Sequence, residues 1–354
     1  MAVTTCSLRT GRRARVDIGP ATAAASLAST SIVQWTSQQL EETEIARLRS
    51  HSEQLYTMNK RTGGPHWMCF LHIRKCIASA RTGHCVNAEP RAFPFGWIGG
   101  NRSAGTSFCL AALRSNFTAP SGGRNCNLTP ALSPIRFGNL SMPQQLAVLR
   151  GQRFDFFAIE HEGLGPHVLF GAPLLYVCVI RHPVARLVSQ YVYSACQRGK
   201  KPPPYTPERI LAFAFQHREF LVRYFHPSTV SMLQAYDVGV AEYHVSKMRL
   251  KVLSAIIVLE KLNSSLGTLA HFGFDVKSLQ VLREMDHHAR VGSTTDKHCA
   301  PPGDVDDAHF GVGAGHARNL SSINAWSLKL YDDAVLLAQE QEAQAVHPQA
   351  SRAV

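Results

Sequence analysis

Several signatures are missing from this chain of 354 residues, and each absence removes a class of function. No G-x-x-x-x-G-K-[ST] stretch occurs anywhere, which argues against a nucleotide kinase or another P-loop NTPase. Of nine cysteines, Cys6, Cys69, Cys76, Cys85, Cys109, Cys126, Cys196 and Cys299 show no metal-ligand spacing, and Cys178 sits in an apolar run that reads as a core strand. His287, His288 and His298 gather near Cys299, again without ligand spacing, and no metal is implied. There is no zinc-finger spacing, no RNP-like aromatic motif and no long Lys/Arg block, so no nucleic-acid module is expected. No internal repeat is visible. Acidic residues are short, 25 against 37 Lys and Arg, and the net charge of +12 calls for an anionic partner.

What is present is ordinary for a globular protein: 45% apolar and 18% charged residues, on a chain long enough to bury a sizeable core. Arg9, Arg12, Arg13 and Arg15 precede an uncharged, Ala-, Ser- and Thr-rich stretch at residues 18–40. That stretch is long enough to cross a bilayer but too polar to read as a transmembrane helix. An organelle transit peptide is an equal reading of such a start, and a truncated start is a third. Six of ten asparagines head Asn-x-Ser/Thr sequons: Asn101, Asn116, Asn127, Asn139, Asn263 and Asn319. Chance would place roughly one or two there, so the excess favours the lumen of the secretory pathway.

Along the chain, residues 1–35 read as a disordered or targeting segment, and residues 36–59 as a helix, a stem or packing element, within a 36–65 segment. Residues 70–73 read as a strand, 107–114 as a helix start, 119–134 as loop, 142–150 as a helix and 154–159 as a strand. An exposed basic loop follows at 199–207, then a helix over 208–225, a buried strand at 253–259, helices over 263–272 and 276–285, and a closing helix over 324–342. Residues 343–354 read as a disordered tail. Strands alternating with helices predict a parallel sheet flanked by helices.

The most informative stretch is LLYVCVIRHPVARLVSQYVY, residues 174–193. Its first seven residues are continuously apolar and rich in β-branched side chains, the pattern of a parallel strand covered on both faces. Pro183 stands where a helix can begin, and Val184, Leu187, Val188 and Tyr191 supply that helix's apolar face. Arg181 ends the strand and Ser189 follows eight residues later, so both can serve one anion at the strand's carboxyl edge. This unit resembles the 3′-phosphate-binding motif of the sulfotransferases that use 3′-phosphoadenosine 5′-phosphosulfate (PAPS): a strand, an Arg-x-Pro turn with a second Arg, and a Ser eight residues past the first. By that resemblance Arg181 and Ser189 hold the 3′-phosphate.

The same family carries a phosphosulfate loop that reads much like FLHIPKxAGTSL, in which small residues let backbone N–H groups approach the ligand at a helix N-terminus. Here Phe70-Leu-His-Ile-Arg-Lys75 resembles its first half, with Arg74 in place of Pro. Ser103-Ala-Gly-Thr-Ser-Phe108 resembles the second. Between them lie 27 residues, 76–102, that resemble nothing in the family and read as an insertion. By this reading Lys75, Gly105, Thr106 and Ser107 form one loop. Arg102 is an alternative loop cation, preceded by residues 93–98 as a strand, and Lys60-Arg-Thr-Gly-Gly64 is another. By the same resemblance the candidates for the acceptor's base are Glu160 and His161, at the end of the 154–159 strand and about twenty residues before the Arg-x-Pro turn, where a Glu or His can be the base in glycan sulfotransferases.

Further patches, Ile257-Val-Leu-Glu-Lys-Leu262, His271-Phe-Gly-Phe274 and Asn324-Ala-Trp-Ser-Leu-Lys-Leu-Tyr-Asp-Asp-Ala334, look like the family's late strand and C-terminal helix. Together the resemblance implies a P-loop-NTPase-like α/β fold over residues 66–342 and transfer of sulfate from PAPS to a glycan hydroxyl. The implied acceptor is a glycan such as an anionic polysaccharide. The implied location is the Golgi lumen, membrane-associated through an N-terminal anchor, against plastid or cytosol if the N-terminus is a transit peptide. The rival reading is a catalytically impaired secreted glycan- or nucleotide-binding protein that keeps the fold.

Overall fold

Four parallel strands in the order β3-β2-β5-β6 carry the fold: β2 (Trp67–His72), β3 (Phe156–Ile159), β5 (Leu174–Ile180) and β6 (Ala255–Val258). A separate two-residue antiparallel ladder joins β1 (Gln34–Trp35) to β4 (Val168–Leu169). The first helices are α1 (Glu42–Thr62), α2 (Ala104–Arg114), α3 (Met142–Arg150), α4 (Pro183–Cys196) and α5 (Pro207–Gln216). After them come α6 (Phe220–Phe225), α7 (Val240–Leu250), α8 (Leu266–His271), α9 (Ala314–Ile323) and α10 (Ala325–Val346). The computed structural model describes residues 34–35, 42–72, 104–120, 126–128, 137–159, 164–165, 168–196, 207–227, 237–277 and 314–346.

The period-2 alternation of each strand divides two cores. Trp67, Cys69 and Leu71 of β2 and Leu174, Tyr176, Cys178 and Ile180 of β5 face one side. There they meet Ile45 and Leu48 of α1, Phe225 of α6, Tyr243 of α7, and Leu330 and Ala334 of α10. Met68 and Phe70, with Leu175, Val177 and Val179, face the other side and meet Phe108, Ala111 and Ala112 of α2 and Phe272 and Phe274. A sheet covered on both faces needs strands apolar throughout, which is why 174–180 is an unbroken apolar run. The chain is therefore α/β, a parallel sheet flanked by helices.

Two devices secure the sheet's margins. Gln341 of α10 accepts the Ile256 N–H at 2.9 Å and donates to the Leu253 carbonyl at 2.7 Å, so the edge strand β6 finds a partner in a helix side chain. A disulfide joins Cys109 of α2 to Cys126, whose carbonyl accepts the Ala158 N–H of β3 at 2.8 Å.

Four expectations need correction. Residues 208–225 are two helices, not one, because Glu219 adopts φ 52 and breaks the run. Its carboxylate is turned to accept the N–H groups of Trp326 (3.0 Å) and Ser327 (2.6 Å), first-turn donors of α10 that have no partner within their own helix. The 253–259 strand is only Ala255–Val258, since Leu259 already opens a 3-10 segment, Leu259–Ser265. That segment, kinked at Lys261, replaces the first half of the helix expected over 263–272. The closing helix runs to Val346, into the span read as tail. Of the helix expected over 276–285, only residues 276–277 are described. Helix α9 had no counterpart in the sequence reading.

Candidate functional site at the carboxyl edge of the sheet

Chain direction fixes where a ligand can sit. From β2 the chain passes through α2 to β3 on one side, whereas from β5 it passes to β6 on the other. The order therefore reverses between β2 and β5, which pair along their length with His72 opposite Val179. In open parallel sheets the crevice beyond the carboxyl ends at such a reversal is the usual ligand site. Two helix N-termini point to that edge. Helix α4 begins at Pro183, three residues past β5. Helix α2 ends near Thr118, whose carbonyl accepts the Phe156 N–H at the amino end of β3, so its own N-terminus lies at the opposite, carboxyl edge. Phe108, early in α2, stacks on Phe70 near the end of β2 with ring centroids 4.9 Å apart.

Gly105, Thr106 and Ser107 occupy the first turn of α2, where backbone N–H groups lack intrahelical acceptors. The helix begins three residues before the expected start at Ser107. Arg181 directly follows β5, and Ser189 lies about two turns into α4, its side chain outside the described residues. Lys75, three positions past β2, and Arg102, two before α2, lie outside the described residues, as do Glu160 and His161, the two positions after β3. The backbone thus brings Arg181 and the Gly105–Ser107 turn to one edge of the sheet. Lys60 belongs elsewhere. It sits in the last turn of α1, before β2 begins, and donates to the Phe272 carbonyl at 2.9 Å with its ammonium 4.6 Å from the Phe117 ring centroid. Burial lowers its pKa, with Asp155, just ahead of β3, acting against that.

The group sequence reasoning missed is Glu260. It leaves the end of β6, beside the end of β5, and its Oε1 lies 3.7 Å from Arg181 Nε and accepts the His182 N–H at 3.0 Å. Its Oε2 accepts from the Tyr331 hydroxyl at 3.2 Å, and the Tyr331 ring meets the His182 ring edge-on. Burial, then the Glu260 charge, raises the Tyr331 pKa, keeping it a neutral donor. A carboxylate in a strand-end Leu-Glu-Lys was a readable signal, but only the strand order shows that it faces Arg181.

Deeper in, Arg186 is buried against the Phe220 ring, its guanidinium carbon 4.0 Å from the centroid, and it donates to Gln190 at 2.5 Å. Burial, then Arg223 and Arg181, lowers its pKa to about 9. Gly165, six residues past β3, is held in place. The carbonyl of Gly165 accepts from the buried Arg249, and a Cβ at Gly165 would stand 2.5 Å from the Gly138 Cα.

Chemically, a guanidinium and two helix N-termini at one edge suit a phosphate-bearing ligand. Among the described residues no three His, Cys, Asp or Glu side chains gather as metal ligands, and no helix is long and apolar enough to cross a membrane. No protein-family model, curated protein or solved structure matches this chain.

Proposed function

We propose that this protein is a PAPS-dependent carbohydrate sulfotransferase with a P-loop-like sulfotransferase fold. The observation that carries the reading is the position of Arg181 at the sheet's reversal point, between the end of β5 and the start of α4. The candidate groups also follow successive strand ends: Glu160 and His161 after β3, Lys75 after β2 and Arg181 after β5. Neighbouring strands stand about 4.8 Å apart, so base, sulfate and 3′-phosphate sites fit along one edge.

In this reading Arg181 and Ser189 hold the 3′-phosphate, and the first-turn N–H groups at Gly105–Ser107 hold the 5′-phosphosulfate. Glu160 or His161 takes the proton from the glycan hydroxyl as its oxygen bonds to sulfur. The bond from sulfur to the 5′-phosphate oxygen breaks, and Lys75, with Arg102 as the alternative, steadies the charge left on that oxygen. The Cys109–Cys126 disulfide supports an oxidising compartment, in line with a Golgi lumen.

The test is calorimetric binding of adenosine 3′,5′-bisphosphate, with radiolabelled sulfate transfer from PAPS to a panel of glycosaminoglycans and galactans. Binding with transfer supports the enzyme, and no binding overturns it. Binding without transfer supports the impaired-binder alternative, which the 27 residues between Lys75 and Ser103 favour. Deleting residues 76–102 should then raise both affinity and transfer.

A further inference from the structure

The few asparagines of this chain divide by how their side-chain amides are used. Asn324 is buried, accepts the Glu219 N–H at 3.2 Å and donates to the Leu320 carbonyl at 3.0 Å. Asn59 donates to the Pro65 carbonyl at 2.7 Å. Neither heads a sequon. Asn116, Asn139, Asn263 and Asn319 each do, each is exposed, and among the described residues none of their carboxamides makes a hydrogen bond. Asn127 is the exception among the described sequons. It is half-buried, its main chain bridges to Ala158, and it adjoins the Cys109–Cys126 disulfide.

One of the four sites has a further feature. The acceptor signal includes the hydroxyl two residues on, and after Asn263 that hydroxyl is Ser265, which is buried. It is available to a transferase only before the chain folds, while Asn263 itself stays outside afterwards. A bulky polar adduct on any of the four costs the folded state no core contact.

We propose that Asn116, Asn139, Asn263 and Asn319 are N-glycosylation sites, Asn263 being modified before folding. The donor class is an oligosaccharide on a polyisoprenyl diphosphate. The asparagine Nδ2 bonds to the sugar C1 as the bond from C1 to the phosphate oxygen breaks, the lipid diphosphate leaves with that electron pair, and the amide loses one proton. The disulfide independently supports passage through an oxidising lumen. The inference does not rest on sulfate transfer.

The test expresses the full chain behind a secretory signal in a eukaryotic host and maps glycopeptides after trimming to a single N-acetylglucosamine. Expected are tags on Asn116, Asn139, Asn263 and Asn319, and one step of gel mobility lost for each of N116Q, N139Q, N263Q and N319Q. Protein refolded from bacteria should accept no sugar at Asn263 when given the transferase and its lipid donor. Untagged asparagines in secreted protein that carries the Cys109–Cys126 disulfide would overturn the proposal, as would a tag on Asn127 in place of the four.

Discussion

Glu260 Oε1 stands 3.7 Å from Arg181 Nε, across the neighbouring ends of β6 and β5. The same oxygen caps the His182 N–H ahead of α4, and the other accepts from Tyr331. The carboxylate therefore holds the place that an incoming phosphate would want, against the same cation and the same helix N-terminus. Such an internal anion keeps Arg181 oriented, and it also opposes a second negative charge.

Two variants separate those effects. R181A removes one charge-assisted contact and should weaken adenosine 3′,5′-bisphosphate binding by about tenfold or more. E260Q keeps an acceptor for the His182 N–H and loses the charge, and should tighten binding several-fold at low salt. The gain is modest because both side chains are partly exposed and solvent screens them. Titration calorimetry decides, and E260Q binding no tighter than the parent would show that the carboxylate serves only to orient Arg181.

Gly165 is the second test point. Its φ of 71° is left-handed, and a Cβ there would overlap the Gly138 backbone. G165A should lower the unfolding free energy in urea titration by at least the roughly 1–2 kcal/mol that this conformation costs an L-residue. Gly165 lies five residues past Glu160 and four past His161, so under the sulfotransferase reading sulfate transfer should fall while nucleotide affinity holds. Transfer at the parental rate in a destabilised G165A would count against Glu160 and His161 as the base.

How far the sequence could be read follows from how local each determinant is. The β5–α4 unit was legible because an unbroken apolar run, a helix-starting Pro and a helical stripe are all encoded within 23 residues, Leu174 to Cys196. Helix α3 was legible with its ends, Met142–Arg150. The break at Glu219 was not, because its cause is the start of a helix 107 residues away. Glu260 was passed over for the same reason: its significance depends on which strand neighbours β5, and pairing order is not a local property. Gly105–Ser107 and Arg181 were legible as separate motifs, and only the reversal between β2 and β5 puts them at one edge.

The edge of the sheet offers a stability test. Gln341 satisfies both the Ile256 N–H and the Leu253 carbonyl, so Q341L leaves two buried backbone groups without partners. At about 1–3 kcal/mol for each orphaned group, Q341L should lose at least about 2 kcal/mol in urea unfolding. Q341E keeps the acceptor for Ile256 and should lose less. Equal stability of Q341L and parent would mean that the edge is satisfied by other means.

Acid sensitivity should trace to His217. The ring is buried between α5 and α6 and packs on Phe213, with centroids 4.4 Å apart. Burial, then the Arg186 and Arg223 charges, lowers its pKa from 6.5 to about 4. Above pH 6.5 the imidazole is neutral in both states and costs nothing. Below it the unfolded chain takes up a proton that the folded protein refuses, so stability falls as pH drops from 6.5 to about 4 and levels off beneath. At about 1.4 kcal/mol for each pH unit across that gap, the loss is bounded near 3 kcal/mol. Buried Glu219 works with the opposite sign, since its raised pKa makes the folded state take up a proton first and gain stability as the solution turns acidic. Comparing parent with H217F cancels that contribution. Urea midpoints from pH 7 to pH 4 should fall more steeply for the parent than for H217F, and parallel curves would show that His217 is not the acid-sensitive group.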